Sequence, residues 1–540
     1  MTSPPADVIV VGSGPSATAA AWPLVEAGLT VLMLDVGNQE TTYAPLIPQT
    51  SFLQIRRGDP EQHRYFLGDA FEGIPFGGVR VGAQLTPPRQ YIARDTDRLT
   101  PIRSSTFSAT ESLALGGLGS GWGASAVQFT GPDLEGFPIR HADLAPHYEA
   151  VAARIGISGE RDDLLPWYGE CASLQPPLEA DPGPRRLLER YTSRRARFNR
   201  AGFFMGHPRL AVLTRDLEDR KAQSYHEMEF YADADRAVYR PWFTVERMKR
   251  SPGFTYVSPW LVESFSEDNA DNVVEVRARA PRGNGTMRFT GRRLILAAGA
   301  MGTARIVLRS FGRYDTPLPL ACNSHVYVPC VNFSMIGRTL PERRHSLTQA
   351  GIIFDPDGDG RRAVYVEVHG YRPLLLFKMV KEAPLAVPES FGILRDLTGA
   401  LQILVIEHED RPTESKRCIL RRGPSGGHDL LEIHYEVGDE QRRREEEVER
   451  RLLRQVRRLG CRPIRRLDPG AGSSIHYGGP LPMTDTDREL TTTPSGRLRG
   501  TRGVYVADGS ALPWLPAKPL TLTLMANADR VAKSILKEIR

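Results

Sequence analysis

The pattern of apolar and polar positions is most regular at the start of the chain. Asp7 to Val11 form a short β-branched run, Ala17 to Ala27 can form a helix, and Leu29 to Leu34 form a second apolar run. The glycine-rich sequence GSGPSA, residues 12–17, separates the first run from the helical stretch. Apolar runs on both sides of a helical stretch are typical of two strands joined by a helix. The chain is therefore expected to begin with a βαβ unit.

A different pattern occupies residues 320–436. Short alternating or apolar runs recur there between turn signals such as DPDGDG at 355–360. The runs are HVYVPCVNF, LTQAGIIFD, AVYVEVHGY, LLLFKMV, LQILVIEHED and LLEIHYEV. Alternation with a period of two is typical of strands. We expect a mostly antiparallel sheet that forms the wall of a substrate pocket.

Further elements connect these regions. A helix is expected within residues 138–159; Asp143 can cap its start, Gly156 can end it, and its apolar face would consist of Leu144, Tyr148, Val151 and Ile155. Strands are expected at 255–262 and 273–278, a strand, small-residue turn and helix at 292–310, a strand from 503, and a helix at 520–536. Residues 38–110 and 160–245 have little periodicity. We interpret the first as irregular polypeptide on the surface and expect the second to add to the pocket rim.

Composition narrows the class of protein. The chain has 540 residues, of which 41% are hydrophobic and 25% charged, as in ordinary globular proteins with two or more joined domains. The net charge of +6 comes from 70 basic and 64 acidic residues that are mixed along much of the chain. The segment RRREEEVERRLLRQVRR at 442–458 carries both signs and predicts a surface helix with one buried face, not a nucleic-acid patch. With neither a leader pattern nor an apolar run of membrane-spanning length in the sequence, we expect no membrane partner and a cytoplasmic location.

Cysteines and strand histidines give no metal-site pattern. The five cysteines are scattered and form no CxxC pair: Cys171, Cys322, Cys330, Cys418 and Cys461. Neither a disulfide framework nor a zinc site is expected from them. Four histidines lie in or beside predicted strands without metal-ligand spacing and are interpreted as structural: His325, His369, His408 and His434.

The first glycine-rich turn has the chemistry of a dinucleotide site. Gly12 permits a tight turn, Gly14 lets a pyrophosphate approach the backbone, and Ala17 lets the helix pack closely on the sheet. The N-terminus of the helix offers free N–H groups and partial positive charge to phosphates. Asp35, at the end of the second strand, can accept hydrogen bonds from a ribose hydroxyl. This pattern predicts a site for an unphosphorylated ribose but does not distinguish FAD from NAD.

Three later segments combine small or polar residues with strand ends. Five glycines occur in GGLGSGWG at 116–123, which indicates a bent backbone or a close approach to another group. AAGA at 297–300 follows a predicted strand and allows backbone and ligand to meet closely. Asp508 and Gly509 end the strand that starts near 503, which also suits a cofactor site.

Taken together, these segments resemble the glucose-methanol-choline (GMC) oxidoreductases, a family of FAD-dependent alcohol oxidases and dehydrogenases. The matching stretches are VIVVGSGPSA with Asp35, GGLGSGWGA, PIRHADLAPHYEAVAARIGISG, ILAAGAMGTARIVLRS, SSIHYGGPLPM, VYVADGSALP and KPLTLTLMANADRVA. They occur in family order at both ends and in the middle of the chain. The substrate region between them matches only in style.

The resemblance implies FAD-binding roles for particular positions. Those implied to bind the cofactor are Gly12, Gly14, Ala17, Asp35, Gly117, Gly119, Ser120, Gly121, Trp122, Val262, Ala298, Gly299, Asp508, Gly509, Leu520 and Thr521. Leu520 and Thr521 would begin a helix whose positive end faces the flavin N1 and O2, where a reduced flavin carries negative charge. Because Trp122 stands where many members have Asn or His, covalent flavin attachment there is not expected.

His476 matches the catalytic histidine of the family. A neutral imidazole can take the hydroxyl proton of an alcohol as hydride leaves for flavin N5. The family usually has a second histidine or asparagine at the position that is Pro519 here. Lys518 is the neighbouring candidate for an electrostatic stabiliser of the alkoxide, although it can also be a solvated lysine.

The resulting hypothesis is an α/β protein with a Rossmann-like FAD-binding domain assembled from discontinuous segments and an α+β substrate domain built on a mostly antiparallel sheet. The expected boundaries are 1–159, 250–315 and 461–540 for the FAD domain, and 160–249 and 316–460 for the substrate-binding cap. The resemblance implies oxidation of an alcohol on a sugar, cyclitol or natural-product intermediate, with oxygen or another electron acceptor. A flavin-containing lyase or cyclase of the same fold, motivated by Pro519, and an NAD-binding reductase are the alternatives. The oligomeric state is left open.

Overall fold

The structure, a computed structural model, describes residues 5–73, 85–268, 273–370, 392–393, 395–424 and 427–539. The α-helices defined in these ranges are α1 (Pro15–Glu26), α2 (Phe52–Gly58), α3 (Gln62–Phe66), α4 (Thr96–Leu99), α5 (His141–Ile155), α6 (Leu165–Tyr168), α7 (Pro182–Thr192), α8 (Arg195–Asn199), α9 (Pro241–Met248), α10 (Ala300–Ser310), α11 (Asp439–Arg458) and α12 (Thr521–Ile539). Short 3-10 helices include Gly117–Ser120 and Gly509–Ala511.

The strands in the same ranges are β1 (Ala6–Val11), β2 (Val31–Leu34), β3 (Ile102–Arg103), β4 (Phe203–Gly206), β5 (Phe254–Val257), β6 (Leu261–Asp268), β7 (Val273–Arg279), β8 (Thr286–Leu296), β9 (Pro317–Pro319), β10 (Ala321–Cys322), β11 (Ser324–Asn332), β12 (Ala350–Phe354), β13 (Val364–His369), β14 (Leu401–His408), β15 (Lys416–Arg421), β16 (Leu430–Tyr435), β17 (Cys461–Pro463), β18 (Tyr477–Gly478) and β19 (Val504–Val506).

The first sheet confirms the predicted βαβ unit. Within the described ranges it has seven strands, in the order β5-β2-β1-β8-β7-β6, with β19 also paired to β8. β1 runs parallel to β2 and β8, and β19 runs parallel to β8. Strands from the start, middle and end of the chain therefore meet in one sheet, as expected for a nucleotide domain assembled from separated segments.

Helices cover both faces of the first sheet. The side chains of β1 point alternately to the two faces and contribute to a core on each side. Val8 and Val10 are fully buried in a core with residues of α1, α5 and α12. Ile9 and Val11 point to the opposite face, where they share a core with residues of α10. Because successive side chains of a strand point to opposite faces, an apolar run such as β1 is buried on both sides.

The second sheet confirms the antiparallel prediction for several of the runs, whereas LLEIHYEV forms β16 in a separate sheet with β3, β15 and β9. The order of the second sheet, among the residues described, is β17-β11-β14-β13-β12-β4, and every pairing in it is antiparallel. One face packs against α11 in a core that includes Val326, Val366, Ile406, Leu452 and Val456. The run LLLFKMV lies outside the described residues. The edge strand β4 comes from the region in which little periodicity was found.

The predicted strand at 255–262 is wrong as a single element. The chain instead forms β5, which pairs with β2, and β6, which pairs with β7. Pro259 lies between them. Proline has no N–H to donate to a ladder, so pairing is interrupted there and resumes with a different partner.

Helix boundaries agree more closely with the expectations. The Asp143 carboxylate accepts a hydrogen bond from the backbone N–H of Arg140 at 2.8 Å, and Gly156, with φ +74°, follows the last residue of α5. α11 buries Val448, Leu452 and Val456, and it carries charged side chains of both signs. No helix in the described part of the chain has both the length and the apolar character needed to cross a membrane. All five cysteine thiols are free.

Candidate active site

A cavity of about 1060 Å³ is lined by residues of both sheets. The carboxyl ends of β1, β2 and β8 border it on one side, and strands of the second sheet border it on the other. Such strand ends are the usual ligand-binding edge of a nucleotide domain. The predicted residues that line the cavity are Gly12, Gly14, Asp35, Gly117, Gly119, Gly121, Trp122, Val262, Ala298, Gly299, His476, Asp508, Gly509, Leu520 and Thr521.

Residues 160–249 do not contribute to this lining where they are described. The expectation that they form the pocket rim is therefore wrong for this cavity. Their apolar side chains are used in packing instead: β4 extends the second sheet, and Leu210, Val212 and Val238 join the core beneath the first sheet.

The first glycine loop has two glycines with different constraints. Gly12 has φ +97°, and a Cβ there would lie 2.6 Å from the carbonyl oxygen of Ala297, so a side chain is excluded by the protein itself. Gly14 precedes α1 with φ −67°, and the nearest atom to a Cβ would be 3.9 Å away. The space at Gly14 opens to the cavity, which is the arrangement required for a phosphate to approach the backbone.

The second glycine loop packs directly on the first. The N–H of Gly116 donates to the hydroxyl oxygen of Ser13 at 2.8 Å. A Cβ at Gly117 would lie 3.2 Å from the Cα of Gly14. The glycines at 116–123 therefore permit contact between two backbone segments, and the indole N–H of Trp122 is fixed by the carbonyl of Tyr239 at 2.7 Å.

Asp35, which follows β2, lies beside the first glycine loop. Its carboxylate accepts hydrogen bonds from the hydroxyl of Ser13 and, at 3.1 Å, from the hydroxyl of Tyr256. Burial raises the pKa of Asp35 to about 7, although the hydrogen bonds from Ser13 and Tyr256 act in the opposite direction. A carboxylate at the end of β2 beside the cavity can accept hydrogen bonds from a ribose.

Two of the predicted cofactor-binding residues do not reach the cavity. Ala17 is fully buried in the core with Val8, where a small side chain lets α1 pack closely on β1. Ser120 donates its hydroxyl to the carbonyl of Leu115 at 2.7 Å and stabilises the second glycine loop from within. Direct contact of either side chain with a cofactor is therefore not supported by its position.

Lys518 is also directed away from the cavity. Its ammonium group donates to the carboxylate of Asp133 and to the carbonyl of Trp167 at 2.7 Å, and its side chain is only 4% exposed. The predicted role as a stabiliser at the substrate is corrected accordingly. Pro519, next in the chain, does line the cavity but carries no polar side chain.

His476 is presented by a tightly held loop. Ile475, the residue before it, has φ +64°, a conformation that a β-branched residue rarely adopts and that is often found at functional sites. The hydroxyl of Tyr477 donates to the carbonyl of Gly472 at 2.7 Å, and β18 pairs with β10 directly after His476. The loop therefore fixes the backbone on both sides of the imidazole that faces the cavity.

The second sheet contributes polar side chains that were interpreted as structural or not recognised from the sequence. His325, Glu367, His369 and Glu407 lie at odd-numbered positions of β11, β13 and β14 and line the cavity beside His476. Toward the other end of these strands the same face is apolar and includes Tyr327, Pro329, Ile403 and Val405. The alternation of the three strands contained this signal, because the even-numbered positions supply the opposite core.

Burial has the largest effect on the pKa values of the histidine and glutamate side chains at the polar end of the cavity. It lowers the pKa values of His476 and His325 to about 4 and raises the pKa of Glu407 to about 8. Burial opposes ionisation of Glu367 as well, but hydrogen bonds from His369 and Ser125 outweigh it and lower the pKa of that carboxyl to about 2. These shifts favour neutral imidazoles at neutral pH, and a neutral imidazole can accept a proton.

The residues around the cavity fit a dinucleotide. The N-terminus of α1 follows Gly14, the N-terminus of α12 begins at Thr521, and Asp35 offers a carboxylate. Anionic groups are stabilised at helix N-termini, and hydroxyl groups can donate to the carboxylate. The fold and the site therefore define an enzyme that binds a dinucleotide beside a histidine-containing substrate pocket.

Comparisons with known proteins agree with this class. The family model described as GMC oxidoreductase matches residues 431–528. Paromamine 6'-oxidase from Streptomyces fradiae is 22% identical over 99% of this chain and 92% of its own length. C-glycoside 3-oxidase from Arthrobacter globiformis is 24% identical over 99% of this chain and 95% of its own length.

Solved structures show the same fold. Pyridoxine 4-oxidase from Mesorbium loti superposes with a TM-score of 0.59 at 15% identity, over 98% of this chain and 99% of that one. A formate oxidase from Aspergillus oryzae, studied for FAD modification, has the same TM-score at 13% identity, over 100% of this chain and 99% of that one. The C-terminal segment of the chain is thus similar to GMC oxidoreductases, and the fold over nearly the whole chain is that of these solved oxidases.

Proposed function

We propose that this chain oxidises an alcohol group of a small polyhydroxylated molecule to an aldehyde or ketone. The observation that carries the proposal is the position of His476, which faces the cavity shared by the glycine loops and the polar face of the second sheet. Curated relatives that span nearly the whole chain are an oxidase of paromamine and an oxidase of C-glycosides. We therefore place the substrate among sugars, cyclitols and related natural-product intermediates.

His476 is proposed as the catalytic base. Its lowered pKa keeps the imidazole neutral and able to take the hydroxyl proton as the carbonyl forms. Bound FAD supplies the oxidant, which accepts the hydrogen of the carbinol carbon together with its electron pair. Thr521 and the other first residues of α12 would direct a positive helix end toward the negative charge that this transfer creates.

The cofactor contacts are proposed residue by residue. Gly14 and the start of α1 would hold the pyrophosphate, Asp35 the adenosine ribose, and Val262 the neighbourhood of the adenine. Gly117, Gly119, Gly121 and Trp122 would run beside the flavin. Ala298, Gly299, Asp508 and Gly509 would contact the central part of the dinucleotide, while Gly12, Ala17 and Ser120 support these segments from the protein side.

The same proposal divides the chain into an FAD-binding domain at 1–159, 250–315 and 461–540 and a substrate-binding domain at 160–249 and 316–460. Oxygen or another carrier is proposed as the electron acceptor, and the cytoplasm as the location. The lyase or cyclase alternative rests on Pro519 alone, whereas the relatives named above are oxidases. An NAD-binding reductase would require a different cofactor from the one this family uses.

An anaerobic absorbance experiment tests the proposal. The purified protein is expected to carry a flavin band that bleaches on addition of an alcohol from a panel of amino sugars, cyclitols, C-glycosides and simple alcohols. Admission of oxygen then shows whether oxygen reoxidises the flavin. A protein without flavin would contradict the cofactor, and a flavin that stays oxidised while the protein eliminates or cyclises a member of the panel would support the lyase or cyclase instead.

A further inference from the structure

Glu407 lies between two imidazoles at the polar end of the cavity. One carboxyl oxygen, Oε2, is 3.8 Å from Nδ1 of His476, and the other, Oε1, is 3.7 Å from Nε2 of His325. The two rings are nearly perpendicular, at 89°, with centroids 5.0 Å apart. His325 and Glu407 are directly opposite each other in β11 and β14. The pairing of these strands therefore places both residues on the cavity face beside the histidine loop.

The atoms that face one another in this group are buried and unpaired. Among the described residues, Nδ1 of His476, Nε2 of His325 and Oε2 of Glu407 have no hydrogen-bond partner. A buried polar atom without a partner costs on the order of 1–3 kcal/mol, so three of them in contact indicate a functional arrangement. Hydrogen bonds between catalytic groups are often long before substrate binds and shorten in the complex.

The orientation of the two rings follows from these contacts. Each imidazole directs one nitrogen toward Glu407 and lines the cavity with the rest of the ring. If the Nδ1 of His476 donates to Glu407, its Nε2 is the nitrogen that can take a proton. Pro519 borders the same cavity but offers neither a side-chain donor nor a backbone N–H.

We propose that Glu407, in its protonated form, is a positioning residue: its O–H at Oε1 donates to Nε2 of His325, and its Oε2 accepts from the Nδ1–H of His476. His325 then donates its Nδ1–H to the oxygen of the reacting hydroxyl, in place of a polar side chain at position 519. The inference rests on the proposed alcohol oxidation for its chemistry. The O–H bond of the alcohol breaks and its proton passes to Nε2 of His476. The carbinol hydrogen leaves with its electron pair to oxidised FAD, and the carbonyl double bond forms.

Ionisation of Glu407 gives the inference a pH signature. The titratable groups that surround Glu407 are His476 on the histidine loop, His325 on β11, Tyr365 and Glu367 on β13, and His408 on its own strand. Burial raises the pKa of Glu407 to about 8. Above that pH Oε1 has no proton to donate, so His325 gives its own proton to the carboxylate and loses the N–H that faces the substrate. The rate of flavin reduction should therefore fall as Glu407 ionises.

The first test does not depend on turnover. Holoenzyme with ¹³C-labelled histidine is titrated by NMR, and the signals of His476 and His325 are assigned with His476→Gln and His325→Gln. Both signals are expected to shift as Glu407 ionises, and Glu407→Gln should remove that shift from both. His434→Gln is the matched control, because His434 also pairs with a strand glutamate, Glu432 at 2.8 Å, but is exposed outside the cavity. Signals of His476 and His325 that are unchanged in Glu407→Gln would overturn the inference.

The second test measures anaerobic flavin reduction with an alcohol that reduces the wild-type protein. His325→Ala should lower the limiting rate about 10²-fold, as expected for loss of an acid–base contact. His325→Gln should recover part of that rate because it keeps a donor. Glu407→Gln, whose amide keeps one donor and one acceptor, should lose the fall with pH while retaining flavin and thermal stability. A His325→Ala rate within about twofold of wild type would contradict the role of His325.

Different results would refute the proposed alcohol oxidation and the proposed role of Glu407 and His325. A wild-type flavin that no alcohol reduces, together with the coupled NMR shifts, would refute the proposed function and leave the Glu407 arrangement standing. Normal reduction by an alcohol in His325→Ala, together with an unchanged fall with pH in Glu407→Gln, would refute the further inference alone. The ligand atoms of His325, Glu407 and His476 also lie within 4.8 Å of one another, a spacing that a metal ion could bridge. Loss of flavin reduction after EDTA treatment, with recovery on adding Zn²⁺, would therefore overturn the inference in favour of a metal site.

Discussion

Thr303 on α10 donates its hydroxyl hydrogen to the carboxylate of Asp508 at 2.6 Å. This bond joins the first turn of α10, which follows β8, to the turn after β19, two segments that are remote in sequence and adjacent at the cavity. The other oxygen of Asp508 accepts from the N–H of Ser510 at 3.0 Å. Both carboxyl oxygens are therefore used to hold the two turns together, and Gly299 and Gly509 are placed beside the cavity as a consequence.

Thr303→Val should loosen this junction. The substitution keeps the shape of the side chain but leaves an oxygen of buried Asp508 without its hydroxyl donor, which costs about 2 kcal/mol. We expect a lower unfolding temperature and weaker flavin retention. Thr303→Ser keeps the hydroxyl and should retain both properties. Equal flavin retention in the Val and wild-type proteins would mean that Asp508 does not position the cofactor turn.

The two glycines of the first loop should respond differently to alanine. In Gly12→Ala the new Cβ would lie 2.6 Å from the carbonyl oxygen of Ala297 at an unfavourable φ, so the protein itself should be destabilised. Gly14→Ala meets no protein atom closer than 3.9 Å, so the apoprotein should fold normally but bind FAD poorly. Thermal unfolding of both apoproteins and FAD titration separate the effects. Tight FAD binding by Gly14→Ala would argue against a phosphate at that glycine.

Local sequence explains why the first loop was predictable and the substrate site was not. Gly12, Gly14 and Asp35 belong to one continuous βαβ unit, whose spacing is set by the strand and helix geometry alone. The contact of Gly116 with Ser13 depends instead on how two distant loops pack. Similarly, His325 meets Glu407 only because of the register between β11 and β14, which the alternating pattern does not fix.

His325 and Lys518 show that side-chain direction, like strand register, is not contained in the spacing of residues along the chain. From the sequence, Lys518 is the candidate because it adjoins Pro519, whereas His325 is interpreted as a structural strand histidine. In the structure Lys518 turns toward Asp133, whereas His325, on a strand far along the chain, faces the cavity. Side-chain direction at the end of a loop is decided by the nearest buried charge, and this information is not contained in residue spacing.

FAD affinity should depend on pH through Asp35. Burial raises the pKa of this carboxyl to about 7 in the protein without cofactor, so it is largely protonated below that pH. Ribose hydroxyls donate to the ionised form, and FAD affinity should therefore increase as pH rises to about 7 and then level off. By the same linkage, the stabilising contribution of Asp35 to the apoprotein is complete below its unfolded pKa near 4 and is lost as pH rises through 7.

Reconstitution of the apoprotein with FAD from about pH 5 to about pH 8 measures this dependence. Asp35→Asn removes the titrating group, so its FAD affinity should be weaker and nearly independent of pH over that range. A wild-type affinity that does not change with pH would show that Asp35 is already ionised before FAD binds.

His476→Ala should separate cofactor binding from chemistry. The imidazole faces the cavity, and within the described residues no side-chain hydrogen bond joins it to either glycine loop, so flavin content is expected to remain near that of the wild type. The rate of flavin reduction by the alcohol should fall by about 10²–10⁴-fold, because the hydroxyl proton loses its acceptor. Stopped-flow reduction under anaerobic conditions gives this rate directly. An unchanged rate would exclude His476 as the base.

Lys518→Met tests whether the lysine acts in structure or in catalysis. Its ammonium group and the carboxylate of Asp133 are 4% and 12% exposed, and the substitution would leave that carboxylate buried without its cation. Breaking a buried pair from one side costs about 3–5 kcal/mol, so a large drop in the unfolding temperature is expected. The double variant Lys518→Met/Asp133→Leu should recover part of this loss, because neither charge then remains unpaired. In both variants the reduction rate per bound flavin should stay close to wild type; a variant of normal stability whose flavin is reduced far more slowly would return Lys518 to the catalytic site.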